Sequence, residues 1–556
     1  MNDIRRTILW VVFGFAMVLL WDKWQVYNGH KATFFPAPGV ASAPAAPAPA
    51  TAAPGAASVP GGAGGTAVAP GAPAADSTEP GELVEVTTDV YKATFDTRGA
   101  TLVRLELLHH ADQDDHARNV VLFDRHEQHT YVAQTGLIGG PGLPTHLSLF
   151  RFVGPERALA DGKSDLALRF ESANGSGVTL VKTYTLHRGS YLIDVRHDVA
   201  NATAAAIKPE LYLQLMRDGT VKGNTNMFAG PTSYTGFAFY TDKSKFKKVD
   251  FAAIEKGKAE FEKTADDGWV AMVQHYFVSA WLDTQSAPRE FFAKRIENNL
   301  YGGGMRLALA EIAPGASTSV SAQLYAGPQE EKKLEAIAPG LELVKDYGIF
   351  TILAKPLYWL LDKIHGVLQN WGWSIVALVV MLKIAFYWLN AKAYSSMAKM
   401  KAINPKIMEM RERLKDKPQQ MQQEMMRIYR EEKVNPMGGC LPIVVQIPFF
   451  ISLYWVLLST VEMRNAPWIL WVKDLSTPDP LFILPLLMTA SSLLQTWLNP
   501  TPPDPMQAKL MWIMPLAFSV MFFFFPAGLV LYWLTNNLLS IAQQWVINKR
   551  LGVLGK

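Results

Sequence analysis

The last third of the chain is dominated by apolar runs of roughly bilayer-crossing length, which restricts it to a helical membrane architecture. The runs are 371–389, 440–461, 481–498, 508–525 and 527–547. In hydrocarbon each backbone N–H and C=O must be satisfied internally, so such runs fold as helices. As one helix, the stretch from Leu510 to Ile547 would be about 57 Å long, nearly twice the hydrocarbon thickness. Phe525-Pro-Ala-Gly528 supplies a break, so it reads as two spans joined by a very tight turn.

A further apolar run, 7–20, follows Arg5 and Arg6 and is closed by Trp21, Asp22, Lys23 and Trp24. An uncleaved anchor and a signal peptide share this pattern. Small-residue cleavage sites lie only well past the run, which favours an anchor over 1–24. Segment 392–433 carries eleven basic residues against six acidic ones, and the tail 549–556 has Lys549, Arg550 and Lys556. Basic residues near span ends stay inside. Six transmembrane helices with both termini cytoplasmic satisfy these constraints, and the long region between the first two spans then lies outside.

Composition agrees with this division. A mean hydropathy of +0.07 averages a polar N-terminal part with an apolar C-terminal one. The net charge of +4 is modest, so no sequence-specific nucleic-acid partner is expected. The single cysteine, Cys440, excludes an intrachain disulfide, leaving the exported part to be held by its core.

Within the exported region, 25–81 is an Ala/Pro/Gly-rich tether without charge from 32 to 75. Residues 82–326 alternate in the manner of half-buried strands, as in Leu102-Val-Arg-Leu-Glu-Leu107 and Val178-Thr-Leu-Val-Lys-Thr-Tyr-Thr-Leu186. Turn signals such as Asn174-Gly175 punctuate them, and a large antiparallel β-sandwich follows. Segment 343–366 reads as an amphipathic helix on the outer membrane surface. Five of the eleven histidines fall between His109 and His129 beside Asp112, Asp114 and Asp115. Without ligand spacing this reads as a solvated loop rather than a metal site. No nucleophile elbow, zincin helix or phosphate loop is present, and no cofactor is expected.

The spans themselves carry the functional signal. Lys383 lies in the cytoplasmic half of the second span, Gln446 at similar depth in the third, and Gln495 near the inner end of the fourth. Asn536, Ser540 and Gln543 share one face of the sixth. Two readings are open: snorkelling and interhelical hydrogen bonds, or a hydrated groove open to the cytoplasm. An ammonium without an acidic partner in the spans favours the groove. Segment 391–439 reads as two antiparallel helices, with Met410 and Met425 on facing apolar sides and additional methionines offering adaptable surface. Its basic charges equally suit lipid headgroups.

The motifs Tyr394-Ser-Ser-Met-Ala-Lys-Met400, Val434-Asn-Pro-Met-Gly-Gly-Cys-Leu-Pro442, Gln446-Ile-Pro448, Lys473-Asp-Leu475 and Phe525-Pro-Ala-Gly-Leu-Val-Leu-Tyr532 closely resemble the YidC membrane protein insertase family. The anchor and sandwich are similar to the family's Gram-negative form, in which the sandwich resembles a galactose mutarotase-like fold without acting as an enzyme. The resemblance implies a five-helix insertase core over 367–548 that moves nascent membrane proteins into the lipid bilayer without covalent chemistry. A client's apolar segment would slide between the third and fifth spans while its polar flank rests in the groove. Phe449, Phe518, Tyr532 and Trp533 join Met410 and Met425 as candidate client contacts. The implied partners are the Sec translocon with its accessory proteins, the ribosome and the signal recognition particle receptor. Where the family usually has Arg the chain has Lys383, which keeps the charge but loses the bidentate fork. Val379 stands where a hydroxyl is expected, so a hydrogen-bonded gate there is not carried over.

Two rival classes predict otherwise. A solute transporter would show repeated discontinuous helices about a midplane site, and no internal repeat is visible. A membrane-anchored sugar-modifying sandwich would need only passive anchors, without polar groups on four spans.

Overall fold

The computed structural model describes residues 81–112, 115, 117–126, 129–173, 175–220, 234–283, 285, 287–414, 417–432, 441–499 and 505–550. The expected anchor 1–24, most of the tether 25–81 and all but the start of the tail 549–556 lie outside the described residues. Two compact units divide the remainder, with the boundary at Lys345 and Asp346.

The first unit is a sandwich of two nine-stranded sheets. In spatial order one sheet runs Leu83–Thr87, Tyr91–Asp96, Thr101–Ala111, Asn119–His126, His129–Ile138, Glu210–Asp218, Leu300–Ala308, Arg289–Glu297 and Thr264–Ala265. The other runs Lys247–Val249, Gly236–Tyr240, Trp269–Val273, Phe277–Leu282, Ser317–Pro328, Leu192–Asn201, Val178–His187, Asp165–Ser172 and Phe150–Val153. Neighbouring strands pair antiparallel throughout, as the alternation predicts; Val178–His187 pairs along Leu192–Asn201 from Val178↔Asn201 to Leu186↔Ile193. Peripheral strands keep the period of two: in Asp165–Ser172, Leu166, Leu168 and Phe170 point inward. His129–Ile138 and Glu210–Asp218 are instead buried on both faces. A small second cluster of Val103, Val132 and Met216 covers part of the outer side.

Polar groups also tie the two sheets together. The Tyr131 hydroxyl meets Ser279 Oγ, and Trp281 Nε1 donates to Gln214 O at 3.0 Å. Fully buried Lys182 donates to Gly99 O at 2.6 Å and Thr135 O at 2.8 Å. Burial without a carboxylate pushes the Lys182 ammonium down to about 7. Of the histidines in this segment, His129 Nδ1 lies 2.6 Å from Asp218 and His126 Nε2 3.7 Å from Asp124. Among the described residues no three His, Cys, Asp or Glu side chains are placed to share a metal ion.

The unit carries two short helices, α1 (Phe251–Glu255) and α2 (Glu331–Ile337). The second unit is helical: α3 (Thr351–Leu368), α4 (Trp371–Ala385), α5 (Tyr387–Arg413), α6 (Pro418–Glu431), α7 (Leu441–Ser459), α8 (Ile483–Leu498), α9 (Pro505–Phe522) and α10 (Ala527–Arg550). Its core gathers Leu361 from α3, Ile375 and Leu378 from α4, Leu453 and Val456 from α7, and Val530 from α10. Ala354, Leu357, Tyr358 and Leu361 form the buried stripe of α3. Asn370 caps α4 through a 3.0 Å bond from Trp373 N. The break expected at 525–528 is present: Ala527 N bonds Thr477 O at 2.7 Å and Gly528 N bonds Leu475 O at 2.9 Å, leaving α9 and α10 separate.

The expected span 371–389 is not one straight helix. It ends at Ala385, and α5 departs at 69°. Neither Pro nor Gly marks the bend; the Phe386 ring packs edge-on against Phe449 at 5.0 Å, a tertiary contact that the local sequence does not announce. Among the described residues no single helix is long and apolar enough to cross a membrane, although α4 and α5 together pass that test. Val445–Ser459, Ile483–Leu498 and Ala508–Phe522 are shorter apolar helices. In the helical hairpin, Ile403, Ile407 and Met410 of α5 pack with Met421, Met425 and Ile428 of α6.

Candidate functional site

Three helices build an open cleft with a mixed polar and apolar lining. α4 contributes Lys383 from its last turn, α7 contributes Gln446, and α10 contributes Asn536. Phe386, Phe449, Phe450 and Tyr532 form the apolar wall. The edge contact between Phe450 and Tyr532, at 5.8 Å, holds α7 beside α10 across the cleft.

Within this wall Lys383 Nζ donates to Ser540 Oγ at 2.7 Å. The serine hydroxyl in turn donates to Asn536 O at 2.7 Å, one turn back on α10. Lys383 forms no ion pair among the described residues, so its partner there is neutral. Beside it, Gln446 Nε2 donates to Asn390 Oδ1 at 2.8 Å, joining α7 to α5. Gln543 Nε2 reaches Tyr387 O at 3.2 Å, near the bend. Five of the six polar candidates therefore share one neighbourhood, on helices that the sequence separates widely.

Gln495 is half-buried on α8 and does not line the cleft. The face of α10 that meets α8 uses other residues: Asn537 Nδ2 donates to Ser491 and Ser492 Oγ at 3.1 and 3.2 Å. Gln544 Nε2 donates to Asn499 Oδ1 at 3.0 Å. Asn537, Gln544 and Asn390 were not singled out in the sequence, although Asn537 and Gln544, seven apart, fall on one helical face.

Among the apolar candidates, Phe449 and Tyr532 line the cleft. Trp533 packs on Phe522 at 4.9 Å and Phe525 at 5.6 Å, while Phe518 is 54% exposed on α9. Met410 is only 4% exposed and sits in the hairpin's own core with half-buried Met425. Met408 and Met426 are the outward methionines. Val379 lines the cleft with an apolar side chain that can neither donate nor accept a hydrogen bond.

A bundle of apolar helices around a cleft that holds a lysine, on a chain that also folds a large antiparallel sandwich, defines a helical membrane protein with a β-sandwich domain. Residues 83–360 match the family described as YidC periplasmic domain, and 363–553 the family described as 60Kd inner membrane protein. The chain is 56% identical over 552 residues to "Membrane protein insertase YidC" of Ralstonia nicotianae, covering 99% of this chain and 98% of the relative. It is 52% identical over 569 residues to the protein of the same name from Janthinobacterium sp., covering 99% and 100%. A solved active YidC insertase with its first transmembrane domain resolved aligns at 19% identity and a TM-score of 0.38, over 84% of this chain and 94% of that one. The chain belongs to the YidC membrane protein insertase family. It is an inner-membrane insertase with a periplasmic sandwich; its clients are membrane proteins, and its work is insertion rather than covalent catalysis.

Proposed function

We propose that the Lys383 cleft is the hydrated groove through which the polar flank of a nascent segment passes, open to the cytoplasm and to lipid. The observation that carries this reading is the pairing of Lys383 with a hydroxyl in an aromatic-walled cleft. An ammonium at bilayer depth is costly unless water or a counter-charge reaches it. A client's acidic flank supplies that charge, and its apolar segment passes directly into lipid. The dry path across roughly 30 Å of hydrocarbon is thereby shortened, lowering the desolvation barrier without a nucleotide.

In the same reading six spans place both termini in the cytoplasm, and the α5–α6 hairpin projects there. Clients slide between α7 and α9, with Phe518 on the lipid side. The Sec translocon and its accessory proteins cooperate for larger clients, while the ribosome and the signal recognition particle receptor deliver them. Gln446, Gln543 and Asn536 hydrate the groove beside Lys383.

Protease protection of a one- or two-span client, presented to liposomes containing the purified protein, tests the reading. Protection above empty liposomes that falls with Lys383→Ala is expected. Equal protection by the wild type, Lys383→Ala and Lys383→Arg would remove the charge from the mechanism.

A further inference from the structure

The loop between α7 and α8 presents a leucine where backbone and side chain are both unfavourably placed. Leu470 has a φ of +53°, in the left-handed region that favours Gly or Asn. Its side chain is also 81% exposed. The turn holding it is closely knit: Trp468 N bonds Val472 O at 3.0 Å, Val472 N bonds Ile469 O at 3.1 Å, and Leu475 N bonds Ala466 O at 3.1 Å. Asn370 Nδ2, at the start of α4, clamps Trp468 O at 3.1 Å. Asp479 accepts from Trp471 Nε1 at 3.0 Å and from Leu484 N at 2.7 Å, tying the loop to the first turn of α8. Strain held by so rigid a frame, with the side chain turned outward, points to a contact outside the described residues.

The surroundings of Leu470 say which contact. Trp468 and half-exposed Trp373 lie 5.6 Å apart as an aromatic pair, and Trp471 and exposed Lys473 flank the turn. Farther along, Leu481 and Phe482 are exposed, continuous in sequence with outward Leu486 and Leu487 on apolar α8. An exposed apolar tip beside aromatic rings and a lysine, next to apolar helices, has the composition of a membrane interface.

We propose that Leu470 is a lipid wedge: the loop sets its apolar tip among acyl chains of the periplasmic leaflet and thereby fixes the depth of the bundle. This rests on the reading that α4 begins, and α7 ends, on the periplasmic side.

The test uses the full chain in nanodiscs. Cys440→Ser removes the natural thiol, and an environment-sensitive fluorophore is placed by Leu470→Cys, Leu486→Cys or Asp161→Cys. Nitroxide lipids labelled high on the acyl chain should quench most emission at positions 470 and 486 and leave position 161 bright; aqueous iodide should do the reverse. Ile469→Cys provides a second probe that does not place cysteine at the strained residue, and it should follow position 470. Lipid quenching at 486 but not at 470 or 469 overturns the wedge alone. Its absence at 486 as well overturns the membrane placement with it. Protection at 470 from both quenchers overturns the wedge in favour of a protein contact.

Discussion

Lys383 Nζ and Ser540 Oγ, 157 residues apart, meet at 2.7 Å where α4 passes α10. The pair joins a charge to a neutral acceptor that is already donating to its own helix. Ser540 thus orients the ammonium without neutralising it, and in the proposed mechanism that charge is left for a client.

Replacing the charge separates these roles. Lys383→Ala should lower insertion of clients with acidic flanks about tenfold, the weight of one charge-assisted hydrogen bond. Lys383→Arg should stay near wild type. Protease protection with matched acidic and neutral flanks measures the difference; an equal loss for both flanks would argue for a structural role.

Ser540→Ala should have the smaller effect. It removes the fixed acceptor but keeps the charge, so insertion should fall by only a few-fold, with the preference for acidic flanks retained. Loss of that preference would show that the hydroxyl itself contacts the client.

Asn537 serves the other face of α10, where it bridges to Ser491 and Ser492. Asn537→Ala should destabilise the bundle by about 1 kcal/mol, in keeping with hydrogen bonds between membrane helices. Thermal unfolding in nanodiscs should show this while flank preference is unchanged.

Gly372→Ala is expected to destabilise although alanine favours helix. A Cβ there would stand 2.3 Å from the Trp468 ring. The overpacking cost of about 1–3 kcal/mol outweighs a propensity gain of roughly 1 kcal/mol. A raised unfolding midpoint would mean that Trp468 yields freely.

The sandwich should become more stable as pH rises, in two windows. Burial first, and the nearby Lys182 second, hold His197 down to about 3 from 6.5; Lys182 itself is held down to about 7 from 10.5. In both windows the unfolded chain binds more protons, so stability climbs from pH 3 to 6.5 through His197 and from 7 to 10.5 through Lys182. Hydrogen exchange of Val178–His187 in the full chain, corrected for intrinsic rates, measures the trend. Lys182→Met should flatten the upper window.

Residue order alone determined that this chain alternates as strands over 82–326, and that Pro526 and Gly528 break its final apolar run. Both are local patterns, a period of two and a breaker, which backbone geometry reads directly. The motif blocks likewise identified the insertase family from sequence. Only the tertiary structure decided that the helix bends at Phe386, because Phe449, more than sixty residues later, supplies the packing. It also decided that Ser540, rather than a carboxylate, receives Lys383, and that Gln495 stands outside the cleft while Asn390 joins Gln446. Depth along a helix is set by counting residues, and sequence supplies it; rotation about the helix axis is set by neighbours, which appear only once the helices have packed.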